Sequence, residues 1–446
     1  MEQTRHKYWK LYIEMALLAL LCVSQYFGIS ALNLLLTVSV LGIHFLMDDV
    51  EQSLLGLLCA MPEFNLLNAR IGSISLYYLM VMVFWLRYFQ HHDWKISKTK
   101  LMVLLILLML RLTSGEIRDT LTWFVLISVL VLTYGEDFFD KNIDKVILFT
   151  SVVFLFTSLA GYLMLRAGKS IYTGGNVWTG KVKSTRFAGI IGDPVFFSQC
   201  CSFFAAANLT LGCQNKRYLL PAVIFSGSFL LLCLESYAKT GMALIILCVL
   251  CSLVWFVWNR IQNKRTAMLA IFLVLVSAVA LLLLVNYILT DTDNLIIQNY
   301  ITRLSRDDLL TGRTDIWAHY ISLLSSNCRS LFLALPHAQY STMFRISNGA
   351  FFNDPHNILL ESACLFGIIP TLCMFTLVFV LMYRCFVSRK GILWQMPICV
   401  MLASGFTLHG HQEFHYYTLV AIAISFLQIH AKGNAAGAAL PGATER

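Results

Sequence analysis

Apolar runs long enough to cross a bilayer follow one another along almost the whole of this 446-residue chain. A spanning helix takes about 20 apolar residues, with roughly 17 to 25 tolerated. Such runs occupy 11–28, 31–47, 71–89, 145–165, 194–211, 219–235, 240–258, 266–289, 357–382 and 414–430. Shorter ones lie at 100–113, 120–134 and 393–410, and the weakest, 50–66, is interrupted by Pro62, Glu63 and Asn65. Only 13% of the residues are charged against 58% hydrophobic, where a soluble domain carries about 25% charged. A soluble enzyme, a nucleic-acid binder and a secreted scaffold are excluded. The expected fold is an all-α polytopic integral membrane protein with about 12–14 transmembrane helices and one large outer loop carrying short helices.

The formal charge of +9 does not form a continuous basic face; it sits in short clusters between the apolar runs, which is how orientation signals are written. With a cytoplasmic N-terminus, alternation of fourteen crossings puts nineteen basic residues on one side, among them Arg5, Lys7, Lys95, Lys98, Lys216, Arg260 and Arg384. The opposite short loops hold four: Arg70, Arg111, Arg118 and Lys239. The same parity puts two long loops outside. Loop 166–193 carries Arg166, Lys169, Lys181, Lys183 and Arg186; loop 290–355 carries Arg303, Arg306, Arg313, Arg329 and Arg345. Cations there gain nothing from topology, and either meet an anionic ligand or are solvated side chains of loops too long for the charge rule. The organisation expected is helices 1–289, the large loop 290–355, helices 356–430 and a disordered Ala- and Gly-rich tail 431–446, with the first run retained as a signal anchor and both termini cytoplasmic. Nearly all of the 13 cysteines lie in apolar runs, so neither a disulfide framework nor zinc is expected.

Two outward helix starts carry the candidate chemistry. Asp193 precedes Pro194, and Asp354 precedes Pro355, His356 and Asn357. Asp suits the N-cap and Pro the first helical position, so free N–H groups would point outward unless the Asp side chain takes them. His356 is expected in the first turn, where the positive helix end favours a neutral imidazole able to accept a proton; the alternative is a hydrogen-bonded interfacial histidine. Arg186 lies in RFAGIIGDP, and Arg313 opens TGRTDIWAHYISLL, whose Ile316, Trp317, Tyr320, Ile321 and Leu324 make an apolar stripe for a helix along the membrane surface. Guanidinium matches phosphate through two parallel hydrogen bonds, while a salt bridge to Asp307, Asp308 or Asp315 is the competing reading. Glu235 and Lys239 are spaced to pair, and Lys239 is also placed to join a cationic cluster. The alternating His409, His411, Glu413 and His415 would share a face only in an extended segment, so no metal site is expected.

RFAGIIGDP at 186–194, TGRTDIW at 311–317 and DPHNILLESACLFGI at 354–368 occur in that order. The set resembles the O-antigen ligase and O-antigen polymerase superfamily of bacterial inner-membrane glycosyltransferases over roughly 145–385. The resemblance implies a multi-pass inner-membrane enzyme with a periplasmic site, moving a glycan from undecaprenyl diphosphate to an acceptor hydroxyl. It implies His356, Arg313 and Arg186 as catalytic, Arg186, Arg313 and Lys239 against the diphosphate, and Asp193, Asn357 and Asp354 as further substrate contacts. Where the family commonly has Ser-Arg, this chain has Ala238-Lys239, and where it has Pro-Asn, this chain has Asp193-Pro194. The implied partners are a lipid-linked oligosaccharide, an acceptor glycan, membrane lipids and a chain-length regulator protein, with no cofactor, metal or nucleic acid. TGRTDIW looks closer to polymerases, which extend a lipid-linked repeat unit; ligases, which transfer to lipid A core, are the alternative. A transporter or flippase should instead carry charges within its spans, where few stand besides Glu14.

Overall fold

In the computed structural model the described residues are 8–60, 70–71, 74–136, 138–168, 176–179, 182–290, 313–345, 351–352, 354–387, 393–406, 408, 416, 419–425 and 427. They form a helical membrane protein, as the apolar runs dictate. The helices are α1 Trp9–Tyr26, α2 Ser30–Phe45, α3 Val50–Ala60, α4 Leu76–His91, α5 Lys98–Leu112, α6 Ile117–Thr133, α7 Phe138–Arg166, α8 Pro194–Gln214, α9 Leu219–Glu235, α10 Lys239–Arg260 and α11 Lys264–Thr290. After the large loop come α12 Arg313–Ser325, α13 His337–Tyr340, α14 Ile358–Phe366, α15 Ile368–Val387 and α16 Met396–Gly405. Three two-stranded antiparallel ribbons interrupt them, β1–β2 (Arg70–Ile71 and Ile74–Ser75), β3–β4 (Asn176–Thr179 and Val182–Thr185) and β5–β6 (Phe344–Arg345 and Phe351–Phe352). Among the described residues five helices are long and apolar enough to cross a bilayer: Ile143–Arg166, Pro194–Gln214, Lys216–Glu235, Lys239–Arg260 and Ile368–Val387.

Helix α8 is the axis of the second half, buried on nearly every side against α9, α10 and α16. Small residues let its neighbours come close. A Cβ on Gly241 of α10 would lie 2.6 Å from Ser198 Cβ, and one on Gly212 2.6 Å from Ala222 Cβ. Without a hydrophobic force between helices in lipid, such close backbone packing supplies the attraction. Helices α10 and α15 turn Leu247, Leu253, Leu372, Leu377 and Phe379 outward, the exposed apolar surface expected of helices facing lipid. Hydroxyls inside spans are satisfied locally: Thr150, Thr210 and Ser252 donate to the carbonyls of Val146, Ala206 and Cys248 four residues back.

In the first half, α3 is a short buried helix rather than a demonstrated crossing. Its eleven residues rise about 16 Å, roughly half a hydrocarbon core, and 61–69 lie outside the described residues. Its buried face meets Glu14, which lies within the first run. Glu14 Oε1 lies 3.0 Å from His44 Nδ1, and Ser53 Oγ lies 3.1 Å from Nε2 of the same ring. Glu14, His44 and Ser53 have no exposed surface. Gly56 makes room: a Cβ there would sit 2.7 Å from Glu14 Oε2. Removing one member of a buried polar pair strands the other, which costs about 3–5 kcal/mol. His44→Leu is therefore expected to lower the thermal midpoint of the detergent-solubilised protein sharply; a midpoint unchanged from wild type would show that the pair contributes nothing.

One expectation is overturned by a glycine. The run 357–382 is not a single helix. It breaks at Gly367 (φ +97) into α14, nine residues long, and α15. A Cβ on Gly367 would lie 2.7 Å from Leu333 N and Phe332 C, so only glycine fits. The C-terminal end of α14 docks on the loop, with Leu335 N–H donating to Cys364 O at 2.8 Å, and its N-terminal end meets α16. The crossing therefore begins at Ile368. Gly367→Ala is predicted to lose most folded protein, read as monodisperse material on size-exclusion; wild-type yield would contradict the forced turn.

Candidate functional site

The large loop is docked on the end of α5 by one backbone bond and two that involve side chains. His337 N–H donates to Ser114 O at 2.8 Å, Ala334 N–H donates to Thr113 Oγ1 at 3.0 Å, and Arg329 donates to Thr113 O. The starts of α8, α10 and α14 and the ends of α9 and α16 contact one another in series.

The starts of α8 and α14 are each closed by a capping side chain, whereas α10 opens behind Ala238 without one. Asp193 Oδ1 accepts from Val195 N–H (2.7 Å) and Phe196 N–H (3.1 Å), and Asn357 Oδ1 accepts from Leu359 N–H (3.0 Å) and Leu360 N–H (3.2 Å). These caps take up two N–H donors at each end. The cap of α14 is thus Asn357, not Asp354, and His356 lies before the helix rather than in its first turn. Its backbone is left-handed (φ +44), a conformation a non-glycine residue holds only when its surroundings require it. Asp354 supplies one such requirement, since its Oδ1 accepts the His356 N–H at 3.3 Å and lies 3.1 Å from His356 Nδ1. Both side chains are about a quarter exposed (25% and 23%), so the pair is held yet reachable. A carboxylate that accepts Nδ1–H leaves Nε2 as the ring's proton acceptor.

Arg186 is anchored by two adjacent bonds to the end of α9. Its Nε donates to Ser236 O at 2.9 Å, and the next residue, Phe187, donates its N–H to Glu235 O at 3.0 Å. The glycines of RFAGIIGDP make this approach feasible. Gly189 (φ +55) leaves space for the Phe197 ring, which a Cβ would meet at 2.2 Å, and Gly192 (φ +79) turns the chain into Asp193. Glu235 does not pair with Lys239 as their spacing suggested. Arg166 Nη2 lies 3.2 and 3.1 Å from its two oxygens, and Tyr162 donates to it at 3.1 Å. Lys239, half-buried, opens α10 just after Tyr237, itself left-handed at φ +52.

Contacts link these pieces in series. Ser236 joins Arg186 to the turn before Lys239; Gly241 packs on Ser198; Gln199 Nε2 donates to Ser404 Oγ at 2.7 Å; Gly405 packs on Ile358; and Asn357 Nδ2 donates to Phe406 O at 3.3 Å. Arg313, half-buried, opens α12, which packs on α14 through the buried Ile316, Tyr320 and Leu324. Tyr320 donates to Tyr340 O at 3.2 Å. Burial, with Cys364, Asp354 and Glu361 nearby, pushes the Tyr320 phenol well above its ordinary range. The structure thus ties Arg186 to the turn that leads into Lys239, and packs the helix that Arg313 opens against α14, which follows Asp354, His356 and Asn357. Tyr320 and Tyr340 were not found from the sequence as site neighbours; the apolar stripe held Tyr320 but said nothing of Asp354. The residues 409–415 lie outside those described.

Residues 223–375 match the family model described as O-antigen ligase. The match covers less than half of the chain and shows similarity to that family over a region that takes in two of the three motifs, TGRTDIW and DPHNILLESACLFGI. It contains Lys239, Arg313, Asp354, His356 and Asn357, and ends short of Arg186 and Asp193 on the N-terminal side. No curated protein and no solved structure matches the chain.

Proposed function

We propose that this protein is a glycosyltransferase of the bacterial inner membrane. It transfers a glycan from undecaprenyl diphosphate to a hydroxyl of another lipid-linked repeat unit, on the periplasmic face. The observation that carries the reading is the Asp354–His356 pair at 3.1 Å, linked through Asn357, α16 and α8 to the segment around Arg186. In the reaction, the acceptor oxygen attacks the anomeric carbon as its proton passes to His356 Nε2. The bond from that carbon to the diphosphate oxygen breaks, and its electron pair leaves on undecaprenyl diphosphate. Arg186 and Arg313, with Lys239, meet the charge that develops on the diphosphate, where a fixed cation is worth most. A single displacement inverts the anomeric centre. Asp193 and Asn357 act chiefly as helix caps that hold this end in shape.

The description of the matched family as O-antigen ligase favours a second acceptor, the lipid A core; the donor half of the mechanism is the same. Deleting the gene in its host and resolving the surface polysaccharide on a gel separates them. Loss of the ladder with one repeat still on the core marks a polymerase. Bare core with lipid-linked polymer accumulating marks a ligase. An unaltered ladder overturns both.

A further inference from the structure

A hollow of about 480 Å³ opens between α12 and the segment around α13, and the residues placed on the diphosphate are not among its described lining residues. One wall is a single stripe made by His319 and Leu323 of α12 and by Ser326 just past its end, at positions i, i+4 and i+7. The neighbouring stripe, Ile316, Tyr320 and Leu324, is buried, which fixes the helix rotation so that the first stripe faces the hollow. Asn327, Gln339 and Thr342 close the other sides. Among the described lining residues none is Lys, Arg, Asp or Glu. Ser326 and Thr342 donate their hydroxyl protons to Leu323 O and Ala338 O, and Asn327 Oδ1 accepts the Arg329 N–H, so the hollow offers a ligand the Gln339 amide, the Asn327 NH2 and hydroxyl lone pairs beside a flat ring. That ring is braced: His319 stacks on Phe344 with centroids 3.9 Å apart and planes 16° from parallel. Burial lowers the His319 pKa from its ordinary value, so the imidazole is a neutral plate rather than a cation.

A neutral polar ligand with one apolar face fits this lining, and the size lies within the range of small-molecule sites. The position ties it to the chemistry. Six residues of α12 separate Arg313 from His319, about 9 Å of helix rise. Phe344, which braces His319, is the register partner of Phe352, two residues before Asp354. We propose that this hollow is a saccharide subsite, binding a sugar ring of the acceptor glycan remote from the bond that forms. The proposal rests on the glycan-transfer reading above, and goes beyond it by assigning acceptor recognition to His319, Asn327 and Gln339.

The test uses full-length protein in nanodiscs and two soluble probes. One is the repeat-unit oligosaccharide released by mild acid from the host's lipid-linked glycan; the other is the core oligosaccharide of its lipopolysaccharide. Neither carries diphosphate, so binding followed by calorimetry reports the subsite alone. Wild-type protein is expected to bind one of the two, the repeat unit for a polymerase and the core for a ligase. His319→Ala and Gln339→Ala are expected to weaken that binding about tenfold, the weight of one or two hydrogen bonds. Gln339 is exposed, so its variant probes the wall without disturbing the core. In turnover the same variants should raise KM for the acceptor while leaving kcat at saturation unchanged. Absence of saturable binding by either sugar, equal binding by both variants and wild type, or displacement of the sugar by a free acyl chain or a peptide overturns the subsite. Sugar binding that depends on His319 in a protein unable to turn over lipid-linked donor would leave the subsite standing and remove the transfer reading.

Discussion

His356→Ala should lower glycan transfer by about 10²–10⁴, the range supplied by a positioned general acid or base, while the protein remains at normal abundance. Alanine alone leaves an ambiguity, because residue 356 holds a left-handed backbone (φ +44) that alanine resists. Asparagine visits that conformation readily, so His356→Asn keeps the turn and removes the base. The account predicts that both variants are equally inactive. Activity restored by asparagine would assign the residue to backbone shape instead of proton transfer. Asp354→Asn carries the argument one atom further. The amide can offer an N–H where the carboxylate accepted one at 3.1 Å, which favours the wrong tautomer and turns a proton onto Nε2. A large loss in kcat with KM for the donor nearly unchanged is expected, since the pair contacts the acceptor side of the reaction.

The second large effect concerns the cations. Arg313→Ala should lower kcat by about 10²–10³, as removal of one preorganised donor to a developing anion does elsewhere. Arg186→Ala should behave alike, because its bond to Ser236 O holds the guanidinium in one orientation before substrate arrives. Lysine at either position keeps the charge and loses the planar fork, so Arg313→Lys should recover only part of the rate. Steady-state assays with saturating donor separate this from weak binding: a variant whose deficit vanishes at high donor concentration contributes to affinity alone, contrary to the account.

How far the sequence revealed these features follows from what each one depends on. The long helices were legible because lipid imposes a length and a composition that any run either meets or fails. The cap at Asp193 was legible because it is local, made within three residues. The break at Gly367 was not. The run on either side is continuously apolar apart from Glu361, and hydropathy does not register a backbone angle forced by Leu333 and Phe332 approaching from another element. His356 was legible as a candidate and misplaced by one turn, because Asp354 looked like the cap and Asn357 took that role. The distance from histidine to cap depended on which of two good capping residues won. Glu235 illustrates the same limit from the other side: its spacing favoured Lys239, but Arg166 and Tyr162, far away in sequence, reach it instead. The Glu14–His44–Ser53 network and the hollow beside His319 are tertiary throughout.

The central claim is that one centre, built from Arg186, Arg313 and His356, displaces undecaprenyl diphosphate in favour of an acceptor hydroxyl. Purified protein in liposomes, supplied with undecaprenyl-diphosphate-linked oligosaccharide and each of the two acceptors in turn, tests it most directly. The account predicts release of undecaprenyl diphosphate in equal amount to new glycosidic bonds, dependent on an acceptor and abolished in His356→Asn. Donor left intact with both acceptors present, or bonds formed at the wild-type rate by the His356→Asn protein, would contradict it.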